Sequence, residues 1–128
     1  MNLKNSSPKK VTNSVPLPKL LKKAQDKFNA WIRKRDKELG CISCGSGIDH
    51  AGHYFSAGHY SSLRFNERNV NGQCLRCNNF LHGNLIRYRQ GLIVRYGEPE
   101  VHLLESQSRN GVKKWSRFEL EYIIEKYK

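Results

Sequence analysis

Between positions 49 and 82 the chain gathers Asp49, His50, His53, His59, Asn66, Asn69, Asn71, Asn78, Asn79 and His82. Packing alone does not call for so many imidazole and amide groups in so short a stretch, and together they are the parts of a hydrolytic centre. Phosphodiester hydrolysis needs a base to take a proton from water, a cation to neutralise the leaving oxygen, and a group that holds the base in its useful tautomer. A neutral histidine suits the first task. A divalent ion on His, Asp or Asn suits the second, and an Asn side chain or a carbonyl the third.

Two Cys-x-x-Cys pairs frame this cluster: Cys41-Ile-Ser-Cys44 before it and Cys74-Leu-Arg-Cys77 inside its far end. Each pair turns two sulfurs toward one point, so four thiolates can close a tetrahedral cage around zinc, leaving no open position for substrate. The metal expected here is therefore structural. Twenty-nine residues separate the pairs, more than the roughly 15–20 of a plain zinc ribbon. The insert holds the first three histidines of the cluster.

The elements that must position these groups read as follows. Residues 1–18 hold Ser, Asn, three prolines and three lysines, the composition of a flexible basic arm; residues 19–128 read as one domain. Leu20, Leu21, Ala24, Phe28, Trp31, Ile32 and Leu39 recur at three- and four-residue spacing and predict a helix to about Gly40, with Lys22, Lys23, Arg33 and Lys37 opposite. Residues 41–63 read as a knuckle followed by an irregular hairpin or loop, which holds Ala-Gly-His-Tyr twice, at 51–54 and 57–60. Residues 73–81 read as a short helix closed by Gly83, which would set Cys74, Asn78 and His82 on one face. Weaker helical patterns span 85–96 and 101–105. Residues 115–127 form an amphipathic helix with Ser116 and Glu119 as a capping box and Phe118, Tyr122 and Ile123 inward.

Charge narrows the partner. The net charge is +12 over 128 residues. Residues 1–40 carry eleven basic and three acidic side chains, residues 41–97 six and two, and residues 98–128 six of each. Attraction to a polyanion is thus concentrated in the first three quarters of the chain, and DNA is the expected partner. No apolar run of the roughly 18 residues a membrane span needs is present, and the first ten residues are polar and basic, which points to the host cytosol and to reduced thiols. A core this sparse in hydrophobic residues, 38% of the chain, calls for a metal staple.

The motifs Cys-Ile-Ser-Cys, Ala-Gly-His-Tyr at 51–54, Leu-Arg-Phe-Asn-Glu-Arg-Asn at 63–69, Gln-Cys-Leu-Arg-Cys-Asn at 73–78 and Gly-Asn-Leu at 83–85 resemble the HNH (ββα-metal, His-Me finger) nucleases. More closely they resemble the lambdoid phage NinG recombination proteins, also called Rap. The resemblance implies an α+β fold, a small zinc-stabilised ββα-metal domain flanked by helices, and cleavage of branched recombination intermediates. It makes His53 the general base, puts Asn69 in the middle place and Asn78 in the third, and matches His82 to a second metal-ligand position. Many HNH enzymes carry Asp or His directly before the base, where this chain has Gly52; Asp49 or His50 then stands in.

The resulting expectation is a Mg²⁺- or Mn²⁺-dependent endonuclease. His53 activates water, Asn69 orients it, and the ion rests on Asn78, His82 and Asp49 or His50. Arg64, Arg68 and Arg76 hold phosphate in bidentate geometry, and His59 adds a phosphate contact. Arg87, Arg89 and Arg95 either extend the track or form an exposed basic face. His82 is either a ligand or a helix-end residue favoured by the dipole. The rival readings are a non-catalytic zinc-knuckle DNA binder, and a single-strand or RNA binder that stacks bases on Tyr54, Phe55 and Tyr60. A homodimer is compatible with either.

Overall fold

A computed structural model describes residues 15–128, so most of the predicted basic arm lies outside the described residues. Helix α1 (Leu17–Asp36) starts two residues before the predicted boundary, with Pro18 in its first turn, where a missing N–H costs nothing. Leu20, Ala24, Phe28 and Ile32 fall at four-residue intervals and are buried, which is the predicted stripe.

The sheet is a single antiparallel pair, β1 (His50–His53) and β2 (Val70–Gln73), in the register His50 to Gln73 and His53 to Val70. Residues 73–81 were expected to be helical. Gln73 instead ends β2, and only Arg76–Phe80 winds up, as a π-helical turn. His82 then sits in a turn with φ 50°, off any helix, so the one-face alignment of Cys74, Asn78 and His82 is not realised. Gly83 does close this segment at φ 92°, its N–H bonded to Cys77 O at 2.8 Å. Helices α2 (Leu85–Tyr96), α3 (Glu98–Gln107) and α4 (Arg117–Lys126) follow.

Two apolar clusters flank the hairpin. Leu20, Ala24, Phe28 and Ile32 of α1 pack with Phe65, Val70 and the Leu120, Ile123, Tyr127 stripe of α4. Ile42, Leu63, Tyr88, Leu92, Val101 and Leu104 form the second cluster. The predicted capping box is present in both directions between Ser116 and Glu119. The predicted inward face of α4 needs correcting, since Phe118 is 77% and Tyr122 59% exposed. Tyr54, Phe55 and Tyr60 lean on one another and on the second cluster, with centroid distances of 4.9–5.2 Å, so these rings are packing groups rather than a free stacking platform.

A buried carboxylate ties α1 to the sheet. Asp36 is wholly buried and accepts from Gly72 N at 2.8 Å and from Arg35 Nε and Nη2 at 2.7 and 2.9 Å, with Arg95 3.7 Å away. Arg35 spends its remaining donors on Glu67 O, Val70 O and Asn71 Oδ1. From the other side Tyr88 donates to Gly52 O at 2.7 Å and accepts from Asn71 Nδ2. Both strands are thereby fixed by side chains as well as by their short ladder, which two four-residue strands need.

Candidate functional site

Cys41, Cys44, Cys74 and Cys77 converge, with all four sulfurs within 4.8 Å of one another. The Cys44 to Cys74 separation of 3.7 Å is the edge expected of a sulfur tetrahedron around zinc, given Zn–S bonds of about 2.3 Å. The local backbone explains the convergence. Gly45 N bonds to Cys41 O and Cys41 N to Ser46 O, folding the first pair into a knuckle, while Cys77 N points at Cys74 Sγ at 3.4 Å in the second. Asn84 Nδ2 adds a donor to Cys77 Sγ. Hydrogen bonds from Ser46 draw the Cys44 thiol down to about 6, whereas burial pushes Cys77 up to about 12. A thiolate at Cys77 therefore needs a cation beside it, and the four cysteines are placed to hold a structural zinc.

His53 closes β1. Its Nε2 lies 3.1 Å from Arg64 O, and a carbonyl can only accept, so Nε2 carries the hydrogen and Nδ1 keeps its lone pair. Burial lowers the ring's pKa from 6.5; the Arg64 charge lowers it further, against the raising effect of the carbonyl contact. A neutral imidazole with a bare Nδ1 is a proton acceptor in waiting.

Asn69, unlike the half-buried His53, is fully buried, and its side chain does not reach water. It accepts from Phe55 N at 2.8 Å and donates to Phe55 O and Leu63 O, while its own carbonyl accepts from Tyr54 N. Asn69 thus holds the residue after the histidine and the start of the 54–69 loop, a positioning role in place of the expected contact with water.

On the other face of β1, Asn78 Nδ2 donates to His50 Nδ1 at 3.2 Å. Asp49 accepts from Leu75 N at 2.7 Å, capping the turn that follows β2. Among the described residues, the cysteines are the one group of three or more His, Cys, Asp or Glu side chains at shared ligand distance, so Asp49, His50 and His82 do not form a joint shell. His82 is exposed.

The arginines divide. Arg64 leans on Gln25 Oε1 at 3.2 Å and lines a groove of about 520 Å³ with Leu21, Gly58, Lys113, Lys114 and Trp115. Arg68 lies over the Tyr96 ring at 4.3 Å and pairs with Glu100; Arg76 is exposed on the π-helical turn. Arg89 pairs with Glu105, and Arg95 serves Asp36 and Gly40 O, so neither is a free extension of a phosphate track. His59 is exposed and bonded to Ser56 Oγ.

These features define an α+β protein in which a four-cysteine metal knuckle carries a histidine-bearing hairpin. The chain belongs to the NinG family: the family described as Bacteriophage Lambda NinG protein matches residues 4–128. It is 43% identical over 110 residues to "Protein ninG" of Escherichia phage lambda, covering 84% of this chain and 53% of that protein. It is 42% identical over 110 residues to "Protein ninG" of Salmonella phage P22, with the same coverage of each. The chain thus spans about half the length of the curated relatives it matches. No solved structure matches. No helix among the described residues is long and apolar enough to cross a membrane.

Proposed function

We propose that this chain is a metal-dependent DNA endonuclease of the HNH kind that acts on branched recombination intermediates in the host cytosol. The observation that carries the reading is His53, a half-buried neutral imidazole whose Nε2 is spent on Arg64 O and whose Nδ1 is left to accept a proton. Consecutive residues of a strand face opposite ways, so His53 and the His50, Asn78 face are reached together only along the strand's edge. In the sheet β1 has β2 on one side only. A phosphodiester laid along the open side would meet both.

The order β1, β2, helical turn, with Asn78 on that turn, is the order the HNH resemblance implies. In this reading a Mg²⁺ or Mn²⁺ ion would rest on Asn78, whose amide nitrogen is held by His50, and would supply charge neutralisation at the leaving oxygen. Arg64, Arg76 and the net charge of +12 hold the polyanion. The test uses the zinc-loaded protein on junction, flap and linear DNA, with and without Mg²⁺ or Mn²⁺. Cleavage is expected to favour the branched substrates and to fall about 10²- to 10⁴-fold in His53→Ala. Equal cutting by parent and variant refutes the base.

One observation favours a second reading, a non-catalytic zinc-knuckle DNA binder: the His50, Asn78 contact contains no carboxylate. That protein would bind DNA with a steep salt dependence and cut none of the substrates.

A further inference from the structure

Gln73 is the last residue of β2, opposite His50 in register, and its side chain is wholly buried. Its Nε2 donates to Gly83 O at 2.8 Å and lies 2.9 Å from Ser43 Oγ. Gly83 O can only accept, so the nitrogen and oxygen of this amide are unambiguously assigned. The oxygen, Oε1, therefore points the other way, into the space beside Gly52, where it is buried without a hydrogen-bond partner among the described residues. A buried amide oxygen without a protein partner calls for an explanation, and a bound ion is one that its neighbours can test.

That space has more than one donor. A Cβ on residue 52 would collide with Gln73 Oε1 and come within 3.0 Å of Asn78 Oδ1. The backbone of Gly52 is meanwhile clamped by Tyr88, which prevents it from drifting in to fill the gap. Asn78 in turn touches His50 Nδ1 through its other amide atom. Two amide oxygens thus form a cradle beside residue 52, where Gln73 Oε1 takes the room a side chain would fill.

We propose that Gln73 is a ligand of a divalent cation, its Oε1 joining Asn78 Oδ1 in an uncharged donor set that His50 steadies by accepting from the Asn78 amide nitrogen. This deepens the nuclease reading and rests on it for the ion's purpose, though not for its binding. Oxygen-rich donors suit Mg²⁺ or Mn²⁺, and carbonyl oxygens without a carboxylate hold such ions weakly. The missing negative charge has to come from a phosphate, so the ion binds loosely alone and tightly with DNA.

The test measures Mn²⁺ binding by electron paramagnetic resonance on the zinc-loaded full chain carrying His53→Ala, with and without a short DNA duplex. The expected results are at least tenfold tighter Mn²⁺ binding with DNA, at least tenfold loss of Mn²⁺ affinity in Gln73→Met, and a gain in Gln73→Glu. Both variants lose the bond to Gly83 O, so a purely structural role would move them in the same direction. Gly52→Ala, which fills the cradle from the other strand, is expected to lose Mn²⁺ as well. Equal affinity in parent, Gln73→Met and Gln73→Glu overturns the proposal, as does no Mn²⁺ binding even with DNA, which would leave Oε1 a water site. Mn²⁺ binding that depends on Gln73 in a protein that cuts no DNA would keep the ion site and end the nuclease reading. Cutting by the parent with unmoved Mn²⁺ affinities does the reverse.

Discussion

The knuckle and the cradle share one hairpin and could hardly differ more. In the knuckle four sulfurs converge, each held by its own turn, and the donors become anionic when a cation is present. In the cradle the donors are neutral, one of them has no hydrogen-bond partner among the described residues, and it sits in the room left by a missing side chain. A closed anionic cage keeps its metal through the life of the fold. An open neutral one exchanges its ion with solvent and waits for a substrate to complete it. In the proposed reading the chain separates the metal that builds from the ion that works, although Gln73 and Cys74 are neighbours at the same end of β2.

The contrast is broken most severely from the knuckle side. Zinc coordination at four thiolates supplies about 10–16 kcal/mol in small zinc domains, so Cys77→Ser, or a strong chelator, is expected to abolish cooperative unfolding. Circular dichroism melts with zinc analysis check this. A mild chelator that strips only weakly held ions is expected to leave the melt unchanged, and a melt that falls with it would erase the distinction between the two sites.

A smaller loss is expected between the sites. Asp36→Ala strands Arg35 and the Gly72 N–H in the interior, which costs about 3–5 kcal/mol for a broken buried pair. Denaturant titration measures it. Zinc content should hold, which would show that α1 braces the sheet and not the knuckle.

The smallest effect is the pH response of His53. With its folded pKa below 6.5, His53 stays neutral in the fold while the unfolded chain takes up a proton. Stability therefore declines as pH falls through 6.5 and levels off below the folded pKa. Relative to His53→Gln, the parent is expected to show this extra slope in denaturant midpoints between pH 7 and 5. An identical slope in both would mean the ring is not shielded from water.

Much of the molecule was legible in the residues. The cysteine pairs gave their own convergence, because two short turns suffice to aim four sulfurs. The stripe from Leu20 to Ile32 gave α1, and Ser116 with Glu119 gave the start of α4. Strand β2 was not legible: Val-Asn-Gly-Gln has no apolar alternation, and its polar side chains sit in the interior only because Tyr88, Arg35 and Ser43 answer them. Such partners lie far away in sequence. The face of α4 was misread because Phe118 and Tyr122 form a second apolar stripe, and periodicity alone does not choose between stripes. At the candidate site Gly52 stood out as the residue before the histidine, yet nothing in the sequence said that Gln73 fills that side from across the ladder.

Because the sulfurs come from both ends of a long excursion, the chain between Cys44 and Cys74 is a loop tied off by metal. During synthesis His53 emerges well before Cys77, and α4, which packs against α1, emerges last. A partly made chain therefore carries its basic beginning long before the four sulfurs can meet. That delay is set by residue order alone.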